Sequence, residues 1–254
     1  MHRIEPLAIA PELAKRLASA RYIAVLTGAG VSAESGVPTF RDALTGLWAR
    51  YDPRELATPE AFARNPKLVW DWYAERRASL ARIAPNPAHR ALVDIERHAP
   101  RFVLLTQNVD GLHARAGSRA IVELHGNIAR VKCSRGCGTV SRFEETGDEP
   151  PRCARCGAFL RPDVVWFEEM LPPEAIEQAQ RAARQCDVFL VIGTSCEVYP
   201  AAALPHDARR AGATVVEVNP DITPLSPIAD RVLRGPAGVV LPALVRAAWP
   251  ENEV

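Results

Sequence analysis

Gly28-Ala29-Gly30-Val31-Ser32-Ala33-Glu34-Ser35-Gly36-Val37-Pro38-Thr39-Phe40-Arg41 follows directly on an apolar run at 22–26. The order reads as a buried strand entering a phosphate cradle. Glycine at 28 and 30 permits a tight turn and close backbone approach to a pyrophosphate, and Ala33 is small enough for a following helix to pack near the strand. The first turn of that helix would offer free N–H groups to an anion. A short glycine pattern behind a strand also serves as a plain turn, and the continuation departs from a dinucleotide dehydrogenase. Such an enzyme closes its βαβ unit within about 30 residues and carries a ribose-binding acid about 20 residues beyond the glycines. Here the next strand-like run, 102–106, comes only after a helically patterned, aromatic-bearing stretch at 42–100. An inserted substrate-side element is therefore expected beside the cradle.

A chain of 254 residues accommodates one large domain, alone or with a smaller module. Its 48% hydrophobic and 24% charged residues fit an ordinary globule, and a formal charge of +1 supplies no global attraction to nucleic acid or acidic membranes. The basic residues are mostly arginine, with lysine only at Lys15, Lys67 and Lys132, which carries no functional reading. No apolar run approaches the 18 or so residues of a membrane span. The N-terminus places Glu5 and Glu12 around Pro6 and Pro11 and lacks the apolar core of a secretory signal, so a cytoplasmic protein is expected. Four of the six cysteines fall in two close pairs, which in a reducing compartment favours metal over cross-links.

A short amphipathic helix is expected at 11–20, with Leu13 and Leu17 on one face. Strands are expected at 102–106, 121–124 and 164–167, with a cysteine-bearing segment at 128–161 before the last. Helix and strand then alternate: helix at 173–185, buried strand at 188–192, helix at 200–211, buried strand at 214–218 and a closing helix at 241–249. Continuous apolar strands separated by helices argue for a parallel sheet covered on both faces, with ligands at the carboxyl ends of the strands. Those ends carry Thr27-Gly28, Gln107-Asn108-Val109-Asp110, Gly193-Thr194-Ser195 and Asn219-Pro220-Asp221. One polar loop after a strand is ordinary turn chemistry. Several along one sheet edge mark a ligand site.

Cys133-x3-Cys137 and Cys153-x2-Cys156 have the spacing of two thiolate knuckles around one tetrahedral zinc. Four thiolates leave no open position for water, so the site is structural rather than catalytic. Gly136, Gly138 and Gly157 suit the tight turns of such knuckles. Arg130, Lys132, Arg135, Arg142, Arg152, Arg155 and Arg161 make this segment locally basic, but Glu144, Glu145, Asp148 and Glu149 offset them. Without interleaved aromatics the segment reads as a solvated face, with no nucleic acid expected. Cys186 and Cys196 read as small hydrophobes.

Taken together, 28–36, Thr106-Gln107-Asn108-Val109-Asp110, Leu124-His125-Gly126, the cysteine quartet, Gly193-Thr194-Ser195 and Val218-Asn219-Pro220 closely resemble the sirtuins, the NAD-dependent protein lysine deacylases. The resemblance covers nearly the whole chain, with the motifs in the family's order. It implies an α/β fold in which a Rossmann-like parallel sheet with helices on both faces carries a small zinc-ribbon module. The expected single catalytic domain, 1–254, divides into a Rossmann-like part at about 1–40, 100–127 and 164–254, a helical insertion at about 42–99 and a zinc module at about 128–163. The implied reaction consumes NAD as a co-substrate, giving free lysine, nicotinamide and O-acyl-ADP-ribose. Acylated lysine proteins or peptides are the implied partners, and a monomer is expected.

His125 matches the family's general base, and an imidazole with a pKa near neutrality suits removal of a proton from a ribose hydroxyl. By itself, a histidine before a glycine at a strand end reads as a structural residue. Asn108 and Asp110 match residues that hold the nicotinamide ribose and the carboxamide, and Gln107 stands beside them. Gly28, Ala29, Gly30, Glu34, Thr39, Phe40, Arg41 and Trp48 fall on the cradle and on the loop that in the family closes over NAD. There Phe40 shields the reactive carbon from water and Arg41 pairs with phosphate. Gly193, Thr194, Ser195, Asn219, Pro220 and Asp221 match the adenosine-ribose region, and Ala237 matches a backbone contact to the adenine. His113 reads as a packing histidine.

Tyr73 and Arg76 stand three apart in Trp70-Asp71-Trp72-Tyr73-Ala74-Glu75-Arg76-Arg77, hence on one face of a helix. By pattern alone this is an amphipathic helix with surface arginines. It resembles the Tyr-x-x-Arg pair of sirtuins that remove succinyl and malonyl groups, where the arginine binds the acyl carboxylate and the tyrosine adds a hydrogen bond. Some deacetylation is expected as well. Val165 and Phe167 match substrate-binding positions. Glu168 is a departure, since the family usually has glycine there, beside the groove in which the substrate backbone pairs as an extra strand. Two other readings compete: transfer of ADP-ribose to a protein nucleophile, and a non-catalytic NAD sensor or zinc-ribbon binding module.

Overall fold

A computed structural model describes residues 8–38, 56–140, 143, 147 and 149–250. Helix α1 (Pro11–Ala18) turns its leucines inward and leads into β1 (Tyr22–Thr27), which is buried along its whole length. Because successive strand residues point to opposite faces, Ile23 and Val25 enter one core, and Ala24 and Leu26 enter another. That division demands cover on both sides. Helices α2 (Pro59–Arg64), α3 (Pro66–Ala81) and α4 (Pro87–His98) occupy the stretch before β2 (Arg101–Thr106). Each starts with proline behind an Asn or Thr cap, Thr58, Asn65 or Asn86, whose side chain accepts a backbone N–H.

After α5 (Leu112–Ala116) come β3 (Ile121–Glu123), β4 (Gly126–Cys133), β5 (Thr139–Val140) and β6 (Leu160–Val164). Helix α6 (Pro173–Gln185), β7 (Val188–Ile192), α7 (Leu204–Arg210), β8 (Thr214–Val218), β9 (Arg231–Leu233) and α8 (Ala237–Ala248) complete the described chain. The larger sheet runs β3-β2-β1-β7-β8-β9, parallel throughout. The chain moves outward from β1 to β3, returns to β7 beside β1, and moves outward again to β9. Strand order therefore reverses between β1 and β7, the crevice where open α/β sheets take their ligands. Helices α1, α4 and α8 cover one face and α6 and α7 the other. No helix of the described residues is long and apolar enough to cross a membrane.

Several expectations shift. The helix expected behind the glycines is two 3₁₀ turns, Ala29–Val31 and Ala33–Ser35, ended by Gly36 in the left-handed region at φ 86°. Ala33 is exposed and packs no helix against β1. The strand expected at 164–167 ends at Val164, because the next amides bond elsewhere: Val165 N to the His125 carbonyl and Phe167 N to that of Ala57, 2.9 Å each. The helix expected at 200–211 is a 3₁₀ turn, Ala201–Ala203, followed by α7. The helix expected at 241–249 begins at Ala237, because the Glu34 carboxylate, distant in sequence, accepts Gly238 N at 2.6 Å. The short edge strand β9 had no pattern to announce it.

β4 pairs antiparallel with β5 and β6, and the two knuckles meet at one end of this smaller sheet. The Cys133, Cys137, Cys153 and Cys156 sulfurs lie within 4.8 Å of one another, with Cys133 Sγ 3.5 Å from Cys156 Sγ. No disulfide forms among them. A tetrahedral Zn–S shell of radius about 2.3 Å has edges of about 3.8 Å, so the quartet fits one structural zinc. We predict one zinc per chain by metal analysis. Cys153→Ser abolishes it and speeds amide exchange in β4 and β6 by about tenfold or more while β7 and β8 keep their protection.

Glu168 adopts φ 71°, a left-handed conformation that costs a non-glycine residue about 1–2 kcal/mol. This is a backbone reason for glycine at the position. Glycine also loses more chain entropy on folding. Glu168→Gly is thus expected to raise stability by roughly 0.5–1 kcal/mol and Glu168→Val to lower it, both read from denaturant midpoints.

Candidate active site

Gly28 N donates to the Ile192 carbonyl at 3.0 Å and Gly30 N to that of Gly193 at 2.8 Å, joining the loops that leave β1 and β7. A Cβ on Gly28 would stand 2.7 Å from Thr194 Cβ, and one on Gly30 would stand 2.8 Å from Gly193 Cα. The glycines are therefore required for loop-to-loop contact as well as for a turn. Around this contact the polar strand ends interlock. Gln107 Nε2 donates to Thr194 Oγ1 at 3.1 Å, Asn108 Nδ2 to the Gly28 carbonyl at 3.1 Å, and Asn219 Nδ2 to the Thr194 carbonyl at 2.9 Å. Ala29 and Ser195 are half-buried beside it, whereas Pro220 and Asp221 lie on the exposed outer side. Ala237 is buried at the head of α8, where Glu34 spends a carboxylate oxygen on the neighbouring Gly238. Thr39, Phe40, Arg41 and Trp48 lie outside the described residues.

Beneath the loop runs a polar network that sequence reasoning missed. The Ser32 hydroxyl donates to Asp110 Oδ2 at 2.8 Å, accepts from Asn108 Nδ2 at 3.3 Å, and lies 3.3 Å from His89 Nε2. His89 in turn is set by Asn86, whose side chain donates to the Val31 carbonyl at 2.8 Å and accepts the first amides of α4. His113 packs against His89, with ring centroids 4.8 Å apart, and its Nε2 is 3.0 Å from Thr27 Oγ1. Burial pushes His89 down to about 4 and His113 to about 3, so both are neutral at pH 7. Burial also raises the Asp110 carboxyl, against the bonds from Leu112 N and Ser32 that favour its ionised form. The available signal was Asn86-Pro87-Ala88-His89, a helix-start sequence whose histidine at the third helical position can reach back to the cap.

His125 sits between β3 and β4. Its Nδ1 is 2.9 Å from the Gln107 carbonyl, and among the described residues Nε2 has no such tether. Burial lowers its pKa and the carbonyl contact opposes the shift only in part, so the imidazole is neutral at pH 7. Gly126 follows at φ 78°, and a Cβ there would stand 2.1 Å from the Asp163 carbonyl oxygen, so glycine is required for β4 to meet β6 at this point. The same crossing brings Val165 to His125 through the 2.9 Å bond from Val165 N.

Tyr73 and Arg76 do share one face of α3. Tyr73 is 2% exposed, and its hydroxyl accepts Trp166 Nε1–H at 3.0 Å. The Arg76 guanidinium lies 4.8 Å from the Trp72 ring centroid and 5.9 Å from that of Tyr73. Burial raises the Tyr73 hydroxyl and lowers Arg76, keeping the phenol protonated. Val109, between Asn108 and Asp110, packs into the apolar cluster that holds Tyr73, Ile128, Val164 and Trp166. The Tyr-Arg pair is thereby drawn to the same end of the sheet as His125 and Asn108. Phe167 stands 40% exposed at the rim, next to exposed Glu168. Trp166 and the buried acid Glu217 were the other omissions. Glu217 accepts bonds from the Thr223 and Ser226 hydroxyls and so fixes the loop after Asn219, and a carboxylate within an apolar strand was its signal.

Residues 28–200 match the sequence pattern of the Sir2 family. The chain is 54% identical over 239 residues to an NAD-dependent protein deacylase of Ralstonia nicotianae, spanning 94% of this chain and 97% of that protein. It is 50% identical over 237 residues to NAD-dependent protein deacylase 1 of Archaeoglobus fulgidus, spanning 92% and 96%. Its fold is similar to that of a crystal structure of a Sir2 homolog–NAD complex, with a TM-score of 0.89 and 47% identity over 97% of this chain and 96% of that one. With half its residues shared with such proteins along nearly its whole length, this chain belongs to the Sir2 family, the sirtuins.

Proposed function

We propose that this chain, an NAD-dependent protein deacylase of the Sir2 family, removes succinyl and malonyl as well as acetyl groups from lysine side chains. NAD, when bound at the carboxyl edge of the parallel sheet, supplies the ribose carbon to which the acyl oxygen is transferred and is consumed. His125 is assigned the base. Its Nδ1 is tethered to the Gln107 carbonyl, so Nε2 is assigned to take a proton from a ribose hydroxyl, and a neutral imidazole is the form that can do so. Asn108 and Asp110, held by Gly28 and Ser32, are assigned to the nicotinamide end, and Ser195, Asn219 and Ala237 to the adenosine end.

The observation that carries the acyl assignment is the pairing of Tyr73 and Arg76 on the face of α3 that packs toward Val109 and Trp166. A guanidinium beside a protonated phenol matches a carboxylate, with charge and two kinds of donor, and gives nothing comparable to the methyl of an acetyl group. A set of acetyl-, malonyl- and succinyl-lysine peptides incubated with NAD and read by mass spectrometry tests the assignment directly.

His125→Ala is expected to lower kcat by about 10²–10⁴-fold while leaving the circular dichroism and zinc content unchanged. In the intact enzyme burial holds the histidine below its ordinary value of about 6.5, and the base must be neutral. Activity therefore falls with acid only below that pH and is flat through neutrality. Arg76→Met is expected to lower kcat/KM for succinyl-lysine about tenfold or more relative to acetyl-lysine. Equal losses on both peptides would remove the acidic-acyl assignment.

A further inference from the structure

Trp166 is 3% exposed and held from three sides. Its ring lies under the Arg161 guanidinium, 3.3 Å from guanidinium carbon to ring centroid, and beside Phe62 at 5.4 Å between centroids. Its backbone N–H donates to Glu169 Oε2 at 2.9 Å, and its indole N–H to the Tyr73 hydroxyl at 3.0 Å. Arg161, itself 6% exposed, donates from Nη2 to Glu169 Oε2 at 2.8 Å and to the Val164 carbonyl at 2.9 Å. An ion pair with its guanidinium buried and its carboxylate half-buried is costly to desolvate and weak evidence of stabilisation in itself. Here it closes the turn 164–169 around a single aromatic side chain.

The chemistry of that side chain is one-directional. An indole N–H only donates, whereas a phenol donates one proton and accepts at two lone pairs. Trp166 therefore occupies an acceptor site of Tyr73 and leaves the phenol proton to be given elsewhere. A carboxylate accepts and never donates. We infer that Trp166 is a positioning residue for acidic-acyl recognition: its indole N–H orients Tyr73 as a hydrogen-bond donor toward the acyl carboxylate, and the Arg161–Glu169 pair holds Trp166 in place. The inference rests on the reading of Tyr73 and Arg76 as the acidic-acyl pair.

Trp166→Phe keeps a ring under Arg161 and removes the N–H. Steady-state kinetics on succinyl- and acetyl-lysine forms of one peptide are measured for the wild type, Trp166→Phe, Tyr73→Phe, their double variant and Arg76→Met. Trp166→Phe is expected to lower the succinyl-to-acetyl ratio of kcat/KM about tenfold, through KM of the succinyl peptide rather than kcat. The double variant is expected to be no worse than Tyr73→Phe, since the indole acts through the phenol. An unchanged ratio, a loss carried by kcat, or additive losses in the double variant overturns the proposal while Arg76→Met still discriminates. If Arg76→Met and the wild type show no acidic-acyl preference, the underlying reading fails and takes the proposal with it. Glu169→Gln loosens the clamp without touching the indole. It is expected to lower the same ratio about threefold or more, and no change in it counts against the clamp even where Trp166→Phe does not fold.

Discussion

The loops that leave β1 and β7 touch backbone to backbone, and the side chains gathered at the sheet edge meet because they do. Gly193, at φ 59°, lies so close to the facing loop that a Cβ on it would stand 2.4 Å from Val31 N. No rotamer relieves a clash with backbone. Separating the loops by the width of a methyl group would break the bonds from Gly28 N and Gly30 N, carry Thr194 away from Gln107, and carry Gly28 away from Asn108. The His125 tether to the Gln107 carbonyl lies one step further along the same chain of contacts. The placement of His125 is thus inherited from the packing of three glycines remote from it in sequence.

The layer behind this contact is polar without being basic. His89 and His113 are neutral because burial disfavours imidazolium, and each lies within hydrogen-bond reach of a hydroxyl, Ser32 or Thr27. Ser32 and Leu112 N support the Asp110 carboxylate through dipoles. A pair of imidazolium ions there would attract that carboxylate and compete with any ligand for it. Dipoles hold it in place without setting a full positive charge beside it.

Elements set by local pattern were legible in the sequence. β7, β8 and α6 fall on their expected residues, since a five-residue apolar run between polar turns and a helix opened by proline leave little choice. The cysteine quartet was equally plain, because thiolate spacing alone defines it. What was not legible depends on partners distant in sequence. Glu34 decides where α8 starts, His125 and Ala57 decide where β6 stops, and Asn86 ties α4 to the loop after β1. The resemblance to a family pointed to His125 and Tyr73 as candidates, but not to the polar network around Ser32. Ser32 and His89 lie far apart along the chain and are ordinary residue types.

α3 shows why such information is lost in one dimension. Its apolar residues do not gather on one stripe, because the helix is buried on two sides by different parts of the protein. Trp70 packs with Val131, Cys133, Cys153 and Leu160, and its ring meets Phe143 edge-on at 5.7 Å between centroids. Val69, Trp72 and Tyr73 pack instead with Ile128, Val164 and Trp166. Arg77 lies 4.9 Å from the Trp70 ring centroid on the first side, as Arg76 lies over Trp72 on the second. A helix gripped in this way has little freedom to roll, since a rotation that suits one cluster opens the other. The cysteine knuckles therefore bear on the angle at which α3 presents Tyr73 and Arg76. The contacts between α3 and the residues around Cys133 and Cys153 carry that dependence.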